Sequence, residues 1–170
     1  MALVTAEGDE LQGLTVQSFT DSALFERTFE EGMALVEETA RYLDGPGRNE
    51  SRDLPRKAAL LYAGESMRVT TRLMQAASWL LVQRAVREGE MKPEDAAQER
   101  YRLGSKEICL GGKDESLELL PAALCELLEK SGNLYRRIER LDDVLFGGAT
   151  VPEPGVHNHL RRLEQAFGGE

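Results

Sequence analysis

Histidine and cysteine are scarce in this sequence, and their positions exclude several kinds of chemistry. Both histidines, His157 and His159, lie near the C-terminal end, so the body of the chain has no side chain that titrates near neutral pH. The two cysteines, Cys109 and Cys125, stand too far apart for a zinc-binding or redox motif. We therefore expect no catalytic, metal or cofactor site, and we expect that the protein is not an enzyme.

Long apolar runs and phosphate-binding loops are missing as well. No segment approaches the roughly 20 apolar residues that a membrane span needs, and the N-terminus does not resemble a secretory signal. No glycine-rich nucleotide-binding loop follows a convincing strand. Residues 64–68 begin like a G-x-S-x-G nucleophile elbow, but they end in Arg68 and lie within a predicted helix. We expect a cytoplasmic protein.

The composition is that of one globular domain, with 170 residues of which 41% are hydrophobic and 30% are charged. The net charge of −9 argues against general binding to nucleic acid or to anionic membranes. The charge is unevenly placed, because residues 21–44 hold seven acids and two arginines, whereas residues 54–87 hold six bases and one acid. Two such neighbouring segments should attract each other within the fold.

Two long segments carry apolar residues at the spacing of an α-helix. The first follows the helix-start pattern of Ser18 and Asp21 and ends at the Gly-Pro-Gly turn of residues 45–47. The second opens at Asp53 and ends at Gly89. One of its apolar rows consists of Leu60, Met67, Met74 and Leu81, and a second row lies on another face. These rows predict a helix buried on two sides, at the middle of a bundle.

A third apolar stripe begins near Pro121 and ends at residues 147–148. We predict an all-α fold, an elongated antiparallel three-helix bundle with helices near 21–44, 54–88 and 119–146. The bundle domain is expected to span 18–147, after a flexible N-terminus at 1–17. A flexible tail is expected at 148–170, with a short amphipathic segment in it. Because the second helix has more apolar surface than two neighbours need, we also predict a homodimer.

A seam of alternating polar and apolar residues follows the second helix in steps of three and four. It is either a solvated face with internal Glu–Arg pairs or a surface for self-association or a partner, because Trp and Arg dominate protein interfaces. The candidate partner-binding residues in its centre are Glu65, Arg68, Arg72, Gln75 and Trp79.

Two further segments are candidates for partner binding. The turn that holds Asp44 and Arg48 either reverses the chain only or also contacts a partner. In the tail, four apolar residues fall on one helical face after a Pro-rich linker, which is typical of a helix that binds in a groove. The alternative for the tail is a frayed helix with no partner. These four residues are Val156, Leu160, Leu163 and Phe167.

Two of these segments resemble a known family. The run YLDGPGR at 42–48 and the run YAGESMRVTTRLMQAASWLLVQRAV at 62–86, continued by EGEM at 88–91, are similar to the regulator of CtrA degradation family. The similarity is strong over residues 19–91 and looser in the third helix. It implies a three-helix bundle, a homodimer and a flexible C-terminal tail that is needed for function.

The resemblance also implies a function, that of a non-enzymatic adaptor for the ClpX/ClpP protease. In that family a response regulator prepares the ClpX unfoldase, and the adaptor joins it and brings cell-cycle regulators for degradation. The alternative is a helical homodimeric regulator that binds a response regulator or a transcription factor without a protease. Neither function calls for nucleic acid, a membrane or a cofactor.

Overall fold

The structure is a computed structural model that describes residues 15–112 and 116–147. In these residues it contains α-helices and two short 3-10 turns, Glu99–Tyr101 and Leu117–Leu119, and no strand. The predicted all-α fold is therefore confirmed. The helices are α1 (Val16–Thr20), α2 (Ala23–Asp44), α3 (Pro46–Arg52), α4 (Arg56–Arg87), α5 (Pro93–Ala96), α6 (Lys106–Leu110) and α7 (Ala122–Phe146).

The three long helices, α2, α4 and α7, begin and end within about three residues of the predicted positions. Pro55 precedes α4 and Pro121 precedes α7, where the missing N–H of proline removes no helical hydrogen bond. At the other end of α4, Gly89 takes a φ of 75°, a left-handed conformation that glycine adopts without strain.

The start of the chain differs from the prediction in one respect. Ser18 does not begin the first long helix; it belongs to the short helix α1, where Thr15 and Ser18 form a capping box. The side chain of Ser22 then caps α2 by accepting a hydrogen bond from the backbone N–H of Phe25, at 3.2 Å. Helical structure therefore extends into residues 16 and 17, which lack an apolar repeat.

Helix α2 runs antiparallel to both other long helices. Glu26, near its start, pairs with Arg87 at the end of α4, and Glu38 pairs with Lys130 near the start of α7, at 2.9 Å. The opposite charges of the two segments thus meet across the bundle, as predicted. These ion pairs are about half exposed, so each contributes little to the free energy of folding.

Helices α4 and α7 run parallel to each other, which the expectation of an antiparallel bundle did not include. Arg72 contacts Leu128 and Trp79 contacts Asp142, so residue numbers increase in the same direction along both helices. The physical reason is the long connection of residues 88–121. It returns along the length of the bundle before α7 begins, and it contributes α5, α6 and the 3-10 turn Glu99–Tyr101 to the surface of α4.

The core lies between the three long helices and continues under the connection. Its aromatic centre is formed by Phe19, Phe25 and Trp79, with ring centroids of Phe19 5.6 Å from Phe25 and 5.9 Å from Trp79. Leu80, Leu124, Leu134, Tyr135 and Ile138 are also fully buried. Helix α1 therefore belongs to the folded body, because Phe19 fills this centre.

Candidate functional site

The polar seam of α4 lies inside the protein, against the connection and α7. Arg72 is buried, and its guanidinium donates from Nε to the carbonyl oxygen of Cys109, at 2.8 Å, and from Nη1 to that of Leu128, at 3.0 Å. Burial, followed by the nearby charge of Arg68, lowers the pKa of Arg72. The guanidinium thus fastens the connection to two of the long helices.

The other seam residues also have partners within the chain. Arg68 donates to both carboxylate oxygens of the buried Glu65, at 2.8 and 2.9 Å, and to the carbonyl of Gly112, at 3.3 Å. Gln75 accepts from the backbone N–H of Gly104, at 3.0 Å, and donates to Ser105. The bonds to Gly112, Gly104 and Ser105 hold the returning connection, and the Glu65–Arg68 pair within α4 orients the Arg68 guanidinium.

Trp79, the only tryptophan, is 1% exposed and is therefore not part of the free surface of this fold. Its indole Nε1 donates to Oδ1 of Asp142 at 2.9 Å, and Arg102 from the connection donates to the same carboxylate at 2.8 to 2.9 Å. A partner contact at the seam would require the connection to separate from α4. In this fold the seam is neither a solvated face nor an open partner surface, because the connection covers it.

The turn after α2 is exposed, in contrast to the seam. Asp44 and Arg48 form a long ion pair of 3.8 Å, and both side chains face solvent. Beneath them, the hydroxyl of Tyr42 donates to Glu50 at 2.8 Å, and burial together with this hydrogen bond raises the pKa of Tyr42. The predicted role of the two exposed side chains in partner binding stays a prediction.

The apolar row of Leu60, Met67, Met74 and Leu81 is exposed rather than buried. The exposed fractions are 68%, 71%, 65% and 53%, so the prediction that α4 is buried on two apolar sides is wrong for this face. Helix α4 buries its other apolar row and the charged seam of Glu65, Arg68 and Arg72, and this row turns outward. The signal that could have revealed this is the row of charges on the opposite side of the same helix.

An apolar groove of about 320 Å³ runs beside this row, between α2 and α4. Met74 belongs to both the row and the wall of the groove, so the two form one continuous surface. The other lining residues are Val36, Thr39, Ala40, Leu43 and Asp44 from α2 and Thr70, Leu73 and Ala77 from α4. The buried hydroxyl of Thr39 has no hydrogen-bond partner within the described residues.

The last group of candidate partner-binding residues belongs to the tail. Val156, Leu160, Leu163 and Phe167 of the tail lie outside the described residues, as do both histidines. Within residues 15–112 and 116–147, no three His, Cys, Asp or Glu side chains are grouped so that they could hold a metal ion.

Burial raises the pKa of both cysteine thiols, Cys109 and Cys125. Among the helices in these ranges, none has the length and hydropathy of a membrane span.

Comparisons with known proteins agree with the all-helical architecture. The model of a family described as "Protein of unknown function (DUF1465)" matches residues 16–167, which include the tail segment. The crystal structure of RcdA from Caulobacter crescentus CB15 is 55% identical in sequence, with a TM-score of 0.65. The alignment covers 78% of this chain and 99% of the RcdA chain in that crystal structure. The search of curated proteins found no match.

Proposed function

This chain belongs to the DUF1465 family and is RcdA-like, and from that premise we propose that it is a non-enzymatic adaptor that delivers proteins to the ClpX/ClpP protease. The observation that carries the proposal is the 55% identity to RcdA over 99% of the chain in its crystal structure. An identity of this size, together with a shared helical fold, makes a related role in regulated proteolysis the simplest expectation. The proposed roles of ClpX, of the response regulator and of the cargo rest on the resemblance of residues 42–48 and 62–86 to the regulator of CtrA degradation family.

The proposed partners are a ClpX-type unfoldase, a response regulator that prepares it, and protein cargo that includes cell-cycle regulators. Among the described residues, the exposed surfaces available to them are the turn of Asp44 and Arg48 and the outer face of α4. The tail segment is proposed as a further binding surface. An adaptor needs at least two surfaces, one for the protease and one for the cargo. The protein is proposed to act in the cytoplasm as a homodimer, without a cofactor.

The seam residues have a role in this proposal that differs from both readings of their sequence pattern, the solvated face and the partner surface. Glu65, Arg68, Arg72, Gln75 and Trp79 fix the connection onto α4 and so shape the surface that partners meet. Their substitution should impair function through loss of fold, whereas substitution of Asp44 or Arg48 should act on binding alone. Measuring both stability and partner binding in one set of variants therefore distinguishes the residues that hold the fold from the residues that contact a partner.

Affinity capture with purified components tests the proposal. The tagged chain is incubated with ClpX, with and without the response regulator, and the retained proteins are identified by mass spectrometry. We expect ClpX to be retained, and more of it when the response regulator is present. Retention of the response regulator or a transcription factor without any ClpX would favour the alternative, a helical regulator that works without a protease.

A further inference from the structure

One end of the bundle, where α3 follows α2 and α4 begins, is basic although the protein as a whole is acidic. Residues 48–57 hold four bases and two acids, a charge of +2, so the rest of the chain carries −11. A positive region on a negative protein attracts negatively charged partners to that place. The four bases, which we call the basic end, are all exposed: Arg48, Arg52, Arg56 and Lys57.

Most of the charge of the basic end is not used by the fold. Arg52, Arg56 and Lys57 form no ion pair within the part of the chain that the structure describes. By contrast, Arg87 on α4 and Arg137 on α7 each pair with a glutamate of α2. The three unpaired bases therefore remain available to carboxylates from outside the chain.

The positions of Arg56 and Lys57 are unfavourable for the helix that carries them. They are the first two residues of α4, and the first turn of this helix contains no acid. The start of a helix is the positive end of its dipole, so a base there lowers helix stability and an acid raises it. Helix stability therefore does not explain these two bases, whereas a role in binding does.

Helix α3 presents its two arginines on one exposed face. Arg48 and Arg52 share that face because they stand four residues apart. Glu50 lies on the opposite side, where its carboxylate accepts a hydrogen bond from the buried Tyr42 at 2.8 Å. Gly47 packs closely beneath the helix, since a Cβ there would lie 2.9 Å from the carbonyl oxygen of Tyr42. The backbone that carries the arginines is therefore fixed before a partner arrives, which lowers the entropy cost of binding.

We propose that the basic end binds a carboxylate-rich surface of a protein partner. The inference rests on the proposed function and names the chemistry of the partner that meets the turn of Asp44 and Arg48. Three of the four bases are arginines, whose planar guanidinium binds a carboxylate through two parallel hydrogen bonds. The charge of −11 on the rest of the chain repels an extended polyanion such as nucleic acid, so a compact group of carboxylates fits better.

Titration of the isotope-labelled full chain with a short oligoglutamate peptide, followed by nuclear magnetic resonance, tests the location. We expect the amide signals of residues 48–57 to shift, and the shifts to shrink as the salt concentration rises. Absence of shifts at residues 48–57 would overturn the proposal. A short DNA duplex is the competing probe, and tighter binding of the duplex than of the peptide would overturn it as well.

The double variant Arg52→Glu and Arg56→Glu reverses two of the unpaired charges. It should lose the peptide-induced shifts, and it should weaken the capture of ClpX or of the response regulator by about tenfold or more. Its melting temperature should not fall, because neither arginine has an ion pair within the described residues. The change at position 56 also places a negative charge in the first turn of α4, which favours the helix.

The matched control is the double variant Arg27→Glu and Arg140→Glu. It makes the same change of charge at two exposed arginines, on α2 and α7, that likewise form no ion pair within the described ranges. The control should bind the peptide and the partners within about twofold of the unmodified chain. Equal losses in both double variants would show an effect of net charge alone and would overturn the proposal.

The capture experiment separates this proposal from the proposed function. Capture of both ClpX and the response regulator that is unaffected by the changes at positions 52 and 56 would overturn the role of the basic end and leave the adaptor function standing. If the unmodified chain captures neither protein, the adaptor function is wrong. The peptide titration then decides by itself whether the basic end binds carboxylates.

Discussion

Buried polar side chains, rather than apolar contacts alone, fix the connection of residues 88–121 to the bundle. Arg72, Gln75 and Tyr135 each form hydrogen bonds to its backbone, and Tyr135 donates to the carbonyl of Gly104 at 2.7 Å. Backbone groups in such a connection need partners when they are buried, because an unsatisfied carbonyl or N–H costs free energy. The polar side chains of Arg72, Gln75 and Tyr135 are therefore inside this protein because they supply hydrogen bonds to the backbone of the connection.

The first residue-scale prediction concerns Arg72. Arg72→Met should lower the free energy of unfolding by about 1–3 kcal/mol, because the carbonyls of Cys109 and Leu128 lose a buried donor. Arg72→Lys should not restore it, since an ammonium lacks the forked geometry of the guanidinium. Urea unfolding gives the measurement.

The matched control is Arg41→Met, at a side chain that is 71% exposed, and it should change the free energy of unfolding by less than about 0.5 kcal/mol. Equal stability of the Arg72→Met and Arg41→Met variants would mean that Arg72 does not hold the connection.

The second residue-scale prediction is a loss of stability in alkali. Burial raises the pKa values of Tyr42, Tyr135 and Cys109 in the folded protein. Between the unfolded and the folded pKa, the folded chain keeps a proton that the unfolded chain releases, so rising pH favours unfolding. The loss should begin near pH 8.5, where an unfolded cysteine ionises, and steepen above pH 10, where unfolded tyrosine does.

Urea midpoints measured from pH 7 to pH 11 test this dependence. The midpoint should be level near neutral pH and fall at the alkaline end, and Tyr135→Phe should make the fall shallower. A midpoint that stays constant up to pH 11 would contradict the assignment of these buried groups.

At the scale of single elements, the helices were predictable and their orientation about their own axes was only partly so. Apolar spacing, Pro55, Pro121 and Gly89 located the three long helices because these signals act within a few residues of chain. The outward turn of the row from Leu60 to Leu81 was not predictable in the same way. The outward turn depends on the connection that covers the opposite side of α4. The residues of the connection are far from the row in sequence, so no local pattern indicates this contact.

One element-scale prediction compares two glycines. A Cβ on Gly47 would lie 2.5 Å from Oη of Tyr62 and 2.9 Å from the carbonyl oxygen of Tyr42, so Gly47→Ala should lower stability by about 1–3 kcal/mol. A Cβ on Gly64 would meet nothing within 4 Å, so Gly64→Ala should raise stability by about 0.5–1 kcal/mol through better helix propensity.

Thermal unfolding of the two variants side by side gives the sign of each change. If Gly47→Ala melted at or above the temperature of the unmodified protein, the turn between α2 and α4 would be looser than the structure indicates.

At the scale of the whole molecule, the three long helices and the connection form a fixed body, and parts of its surface are exposed and available to partners. The parallel course of α4 and α7 requires the long connection, and the connection buries the seam that was a candidate interface in the sequence. The exposed surfaces are the turn of Asp44 and Arg48, the row from Leu60 to Leu81, and the groove beside it. An adaptor requires this kind of division between a fixed body and open faces.

The whole-molecule prediction concerns the tail. The double change Leu163→Ala and Phe167→Ala should abolish delivery to the protease, because it removes half of the predicted apolar face. The melting temperature of the bundle should not change. Removal of residues 148–170 should have the same two effects, and delivery that persists after this removal would assign the working surface to the helices instead.

The central claim is that this protein directs particular proteins to the ClpX/ClpP protease, and protein turnover in living cells tests it most directly. Half-lives are measured across the proteome, by pulse labelling and mass spectrometry, in cells with and without the gene and in cells depleted of ClpX. We predict that a small set of proteins becomes long-lived without the gene and that the same proteins become long-lived without ClpX. Unchanged half-lives in cells that lack the gene would contradict the account.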